Sequence, residues 1–240
     1  MSDADSLKVP FSRPSISEEE NKLVLEVLNS GWLTTGKHAL EFEKDFSALM
    51  NSRPEMLEER KKLGLSAEPV QSLAVNSNTS GMILAMEACG IGPGTAVITT
   101  PYTFVSTAAC AKHLGADVYF ADIEKDSYSI DPEKIEEILL SPKGKNVKAI
   151  VPVHVAGNLC NMRKICQIAK KFGIKVIEDA AHAFPSPTEI GYAGTIGDVG
   201  VFSFYVTKTI TTAEGGMICT RDKNLAKRMT VMRLHGMDRT

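Results

Sequence analysis

From residue 72 onward, short β-branched, apolar runs alternate with helix-length segments, and this rhythm constrains the fold more than any other feature of the chain. The runs fall at 73–75, 96–99, 117–120, 149–153 and 176–177, with helical segments expected at 79–90, 104–114, 131–140 and 161–172. Asp131-Pro132 opens one helix as an N-cap followed by proline at the first helical position. Successive strands joined through a helix run parallel, and the helices then cover both faces of the sheet. The expected fold is therefore α/β, a three-layer α/β/α arrangement around a mostly parallel mixed sheet. After residue 177 the rhythm changes. Two strand-like runs, 199–204 and 217–220, lack a full crossover helix between them, and a last helix covers about 222–234.

The N-terminal third is less regular. Residues 1–16 read as an extended arm, with Pro10 and Pro14 opposing regular structure. Ser17, three glutamates and the apolar positions Leu23, Val24, Val27 and Leu28 predict a capped amphipathic helix that stops near Ser30-Gly31. Gly36 marks a second break, and 38–50 reads as another helix. The polar stretch 51–70, with its charged run Glu58-Glu59-Arg60-Lys61-Lys62, reads as a solvated helix or loop of no legible function.

Composition excludes several classes. With 43% apolar and 23% charged residues among 240, the chain is neither disordered nor fibrous. A net charge of −2 argues against a nucleic-acid partner. No run approaches the roughly 20 apolar residues of a membrane helix. The acidic start MSDADSLKVP lacks the basic opening of a signal peptide, so a cytoplasmic location is expected. The five cysteines, Cys89, Cys110, Cys160, Cys166 and Cys219, are odd in number and contain no CxxC. They read as small buried thiols, and no metal is expected.

Three segments carry chemistry at expected strand ends, where open α/β sheets bind ligands. Asn76-Ser77-Asn78-Thr79-Ser80-Gly81 joins a strand to a helix. Its hydroxyls and free amides suit a phosphate, although plain capping by Ser77 or Thr79 explains them as well. Ile177-Glu178-Asp179-Ala180-Ala181-His182 sets two acids and a histidine after an apolar strand, either as an internal ion pair or as a carboxylate held for a cationic ligand group. Phe202-Ser203-Phe204-Tyr205-Val206-Thr207-Lys208 brings a lysine out of an aromatic strand end, ahead of Glu214-Gly215-Gly216. A partly desolvated lysine forms Schiff bases with carbonyls. A phosphate cradle, an acid for a pyridine nitrogen and a lysine for an aldehyde are together what pyridoxal 5′-phosphate requires. Pro101-Tyr102-Thr103-Phe104 offers an aromatic side chain to cover the ring.

With those segments in order, the chain resembles the sugar aminotransferases of the DegT/DnrJ/EryC1/StrS family, pyridoxal phosphate enzymes of fold type I. The resemblance runs from Val9 to Thr240 and also rests on Pro10-Phe11-Ser12-Arg13-Pro14, Ser30-Gly31-Trp32-Leu33-Thr34-Thr35-Gly36 and Pro152-Val153-His154. Within the family it looks most like the branch that makes UDP-4-amino-4-deoxy-L-arabinose. The resemblance implies that Lys208 holds the cofactor aldehyde and then moves the substrate proton. It implies that Asp179 pairs with the pyridine nitrogen and that Phe104 stacks on the ring. Thr79, Ser80 and Ser203 match phosphate contacts, and His182 matches a residue near the ring. Trp32, Thr34 and Tyr205 match the substrate pocket. His38, His113, His154 and His235 receive no catalytic role.

The implied reaction moves an amino group, usually from L-glutamate, to a nucleotide-linked keto-sugar for cell-surface polysaccharide (lipopolysaccharide included) or related glycans, with the site built in a homodimer. A dehydratase branch of the same family is an alternative, but it typically carries histidine at the Lys208 position. A non-catalytic, regulatory or truncated homologue is a further alternative. Residues 1–240 read as the large cofactor domain, with an arm at 1–36 and the family's smaller C-terminal domain expected to be absent. Two stretches depart from the family pattern: 51–70 is longer and more charged, and 184–195, beginning Phe184-Pro185-Ser186-Pro187, replaces a small-residue stretch.

Overall fold

A computed structural model describes residues 10–238; most of the expected 1–16 arm, and the last two residues, lie outside the described residues. Residues 12–17 form no helix or strand and are exposed. Helix α1 (Glu18–Ser30) starts at Ser17 in a full capping box and ends at Gly31 in the left-handed conformation. It buries none of its residues. Helix α2 (Lys37–Met50) buries Phe46 and Met50.

The central sheet has seven strands: β1 (Gln71–Val75), β2 (Ala96–Thr99), β3 (Asp117–Phe120), β4 (Val147–Val151), β5 (Lys175–Asp179), β8 (Val199–Ser203) and β9 (Gly216–Thr220). A short separate hairpin pairs β6 (Pro187–Thr188) with β7 (Gly191–Tyr192). The spatial order is β1-β9-β8-β5-β4-β2-β3. Strand β9 is antiparallel to both neighbours, while the other pairings are parallel. The missing crossover helix before β9 explains this reversal, because a short turn can only return the chain antiparallel.

Helices α4 (Asn78–Ala88), α5 (Ser106–His113) and α8 (Lys223–Arg233) cover one face. There Met82, Met86, Cys110 and Met229 pack against Val97, Val151, Ile177 and Val201. The opposite face carries α6 (Pro132–Leu140) and α7 (Met162–Phe172), whose Ile135 and Ile165 meet Ile98 and Ile150. Phe46 of α2 completes that layer with Phe202 and Phe204. The expected mixed, mostly parallel three-layer architecture is the observed one.

The reading of 51–70 as a purely solvated stretch is corrected. Helix α3 (Glu55–Lys62) buries Met56 and Arg60, with Arg60 only 1% exposed. Its charged run is split by the helical period. Glu58, Lys61 and Lys62 face solvent, while Arg60 turns inward to backbone carbonyls of 190–196. The cysteines are free thiols, four of them buried. Burial pushes Cys89, Cys166 and Cys219 up to about 12 and Cys110 to about 11, which makes them poor nucleophiles.

Candidate active site

Register assembles the site at the carboxyl ends of the central parallel strands. Strand β5 ends at Asp179, which lies opposite Val201 of β8, and β8 ends at Ser203 opposite Gly216. Val75, the last residue of β1, also faces Gly216. The ends of β1 and β8 therefore meet the start of β9 beside the N-terminus of α4, and the end of β5 lies next to β8. Gly216 is required by closeness: a Cβ there would stand 2.8 Å from the Ser77 carbonyl carbon and 2.9 Å from the Asn78 nitrogen.

The first turn of α4 is both capped and open. Ser77 Oγ accepts from the Ser80 amide at 3.1 Å and donates to Ser80 Oγ at 3.0 Å. The amides of Asn78 and Thr79 have no partner among the described residues. A capped helix start that keeps free amides suits a phosphate. Both readings of this segment therefore hold at once.

Asp179 is 4% exposed. Its Oδ2 accepts from Thr107 Oγ1 at 2.8 Å. Its Oδ1 accepts from the Ala181 amide at 3.2 Å and weakly from Asn78 Nδ2 at 3.4 Å. A carboxylate offers about four lone-pair sites, so Asp179 retains room for one more donor. Thr107 and Asn78 were not singled out among the candidate residues. Both lie inside quoted segments, but nothing in their spacing shows that α4 and α5 aim them at one carboxylate.

Ser203, His182 and Lys208 line one cavity of about 200 Å³, together with Ala156, Phe184 and Thr207. Burial pushes the Lys208 amine below its ordinary value, with the Asp179 charge opposing it. Burial and then the Lys208 charge push His182 down as well. His182 Nδ1 accepts from the Ala156 amide at 3.3 Å. The Tyr205 amide donates to Ser203 Oγ, and the Lys208 amide donates to the Tyr205 carbonyl at 2.9 Å, which forms the turn that presents Lys208.

Other candidates stand apart. Phe104 follows β2 with its ring 75% exposed. Trp32 and Thr34 line a separate groove between α1 and α2, where Trp32 Nε1 donates to the Thr35 carbonyl at 3.1 Å. Tyr205 is half-exposed beside the turn.

His154 is fully buried, and its Nε2 lies 2.9 Å from Glu178 Oε2. Burial opposes charge on this ring. The Cys160 side chain and then the adjacent buried Glu178 carboxylate outweigh burial and hold the imidazole above its ordinary value. Burial alone would raise Glu178, but His154 and the amides of Gly197 and Gly194 hold it low.

The family model for DegT/DnrJ/EryC1/StrS aminotransferases matches residues 14–56 and 60–240. The chain belongs to that family. It is 42% identical over 231 residues to the spore coat polysaccharide biosynthesis protein SpsC of Bacillus subtilis, covering 96% of this chain and 54% of SpsC. It superposes on an aminotransferase from Psychrobacter cryohalolentis with a TM-score of 0.83 at 32% identity, over 96% of this chain and 54% of that one. Helicobacter pylori PseC, an aminotransferase of pseudaminic acid biosynthesis, matches with a TM-score of 0.77 at 32% identity, over 96% and 57%. The chain thus spans about half the length of these relatives.

Aminotransferases of this family depend on pyridoxal 5′-phosphate, and the residues fit it. The free amides at α4 would receive a phosphate, a buried carboxylate has a vacant acceptor site, and a lysine of lowered basicity lines the adjoining cavity.

Proposed function

We propose that the protein carrying this chain transfers an amino group, from L-glutamate, to the keto group of a nucleotide-linked sugar for cell-surface polysaccharide or related glycan synthesis. The observation that carries this reading is the pairing of Lys208 with Asp179. The lysine sits in the cavity with His182 and Ser203, and the acid one strand away keeps an acceptor site free. Pyridoxal phosphate, when bound, supplies an aldehyde for Schiff-base chemistry and a ring that accepts electron density.

The chain's own groups do the rest. The α4 amides, Ser80 and Ser203 hold the phosphate. Asp179 Oδ1 and Oδ2 hold a proton on the pyridine nitrogen, with Thr107 and Asn78 orienting them. Lys208 Nζ, favoured as the free amine by burial, is the nucleophile and later carries the substrate proton. His182, on the cavity wall, and Phe104 flank the ring. Trp32, Thr34 and Tyr205 belong to the sugar side.

A cytoplasmic homodimer accompanies this reading. Free thiols suit a reducing compartment. The exposed row Leu23, Val24, Leu25 and Leu28 on α1 lacks a partner within the described residues. In this reading 1–240 is the large cofactor domain with the arm 1–36. The intact protein, incubated with pyridoxal phosphate, should develop visible cofactor absorbance and then lose it on addition of glutamate. No absorbance would sink the proposal, as would a Lys208→Ala variant that keeps full transfer to a keto-sugar nucleotide.

A further inference from the structure

Arg60 is a fully buried guanidinium that forms no ion pair among the described residues. Its charge is met by four carbonyls. Nε donates to Ser66 O at 2.7 Å, Nη1 to Ile190 O at 2.9 Å and Thr195 O at 3.1 Å, and Nη2 to Ile196 O at 3.3 Å. Three of the four belong to the segment 190–197 that leads into β8. The amide side of that same segment faces a carboxylate. Gly194 N donates to Glu178 Oε2 at 2.9 Å, and Ile196 N and Gly197 N each donate to Oε1 at 2.7 Å.

Two consecutive peptide units therefore stand between opposite charges. In the unit joining Thr195 to Ile196, the carbonyl meets Arg60 and the N–H meets Glu178. The next unit, joining Ile196 to Gly197, repeats the arrangement. A trans peptide points its C=O and N–H in opposite directions, so both dipoles align from guanidinium to carboxylate and each hydrogen bond strengthens the next. Arg221, also buried, adds a weak contact to the same Thr195 O at 3.4 Å. Gly194 allows the bend: its φ is +78°, and a Cβ there would collide with the Phe202 ring.

This relay ends one residue from the candidate cofactor acid. Glu178 precedes Asp179 on β5, and His154 grips both. Its ring bonds Glu178, and its backbone amide donates to the Asp179 carbonyl at 3.1 Å. We propose that Arg60 is a positioning residue: through the peptide layer 190–197 it fixes Glu178 and His154, and so sets the place of the Asp179 carboxylate at the end of β5. The charged helix α3 then serves the cofactor site from the far side of the sheet. This inference rests on the reading of Asp179 as the pyridine partner.

The test compares the intact wild-type protein with Arg60→Met and Arg60→Lys. Pyridoxal phosphate affinity is measured by visible absorbance, and amide hydrogen exchange and melting are measured without cofactor. Arg60→Met should raise the dissociation constant about tenfold, the scale on which outer-shell partners act at metal sites. It should also shift the pH midpoint of the cofactor band and speed exchange at Gly194, Ile196 and Gly197. Arg60→Lys keeps the charge but cannot bond both peptides, so it should fall between wild type and methionine; it decides the matter if the methionine variant does not fold. Variants that melt lower yet bind cofactor with wild-type affinity and pH midpoint would overturn the proposal and leave Arg60 a merely structural residue. A wild-type protein that binds no pyridoxal phosphate would instead overturn the underlying site reading.

Discussion

Glu178 and Asp179 are adjacent carboxylates on one buried strand, and they differ in how they are finished. Strand alternation sends their side chains to opposite faces. Glu178 meets four donors, His154 and the amides of Gly194, Ile196 and Gly197, so its acceptor sites are filled. Asp179 has three, one of them 3.4 Å long. A saturated buried acid is a structural element, whereas one with a vacancy beside a lysine-lined cavity can still receive a ligand proton. Burial alone does not separate the two, since both are nearly inaccessible. The difference lies in the unused acceptor capacity.

The largest effect that would sharpen this comparison lies on the open side. Lys208→Ala should reduce amino transfer about a thousandfold, within the range of proton-transfer catalysis, in an assay with glutamate and keto-sugar nucleotides. Melting of the cofactor-free protein should barely change, because Lys208 is only half-buried.

On the closed side the balance reverses. Glu178→Gln should destabilise the fold by about 3–5 kcal/mol, the cost of breaking a buried pair, measured by denaturant unfolding. The pH dependence follows from the two shifts. Glu178, held low, contributes stability that is present above its ordinary value near 4.5 and lost as the solution turns more acidic. His154, held high, contributes stability that is complete below its ordinary value near 6.5 and lost as pH climbs past it. Wild-type stability from this pair should therefore be greatest between those values and fall in alkali, and Glu178→Gln should flatten that fall. An unchanged alkaline slope would break the comparison.

Asp179→Asn should cost about a hundredfold in amino transfer, the lower end of the cost of losing one preorganised electrostatic partner, with little change in unfolding midpoint. Ser17→Ala should be smallest. It removes the α1 cap at about 1 kcal/mol, which a melting scan should read as a small downward shift, while the transfer assay stays unchanged.

Much of this was legible beforehand, for physical reasons. Strand–helix alternation is local, so runs such as 96–99 and 117–120 coincide with β2 and β3 residue for residue. Ser17 and Asp131 cap the helices they precede, because capping acts within three residues. Lys208, Asp179 and His182 are legible because polar groups at strand ends interrupt apolar runs, whereas Ser203 rests on the family resemblance. The partners Asn78 and Thr107 did not, since each meets Asp179 across a long sequence separation. The hairpin of β6 and β7, in the unusual stretch 184–195, was hidden for the same reason; its Tyr192 is buried against α2 and α3 through long-range packing.

By itself the sequence determined the layered α/β architecture, the placement of most helices and the reactive residue types, because periodicity, capping and side-chain chemistry are properties of short segments. The tertiary structure alone decided which acid is sealed and which stays open. It also decided that Arg60, in a run that reads as solvated, is buried. A guanidinium tolerates burial only where acceptors surround it, and here three of its four acceptor carbonyls lie 130 or more residues away.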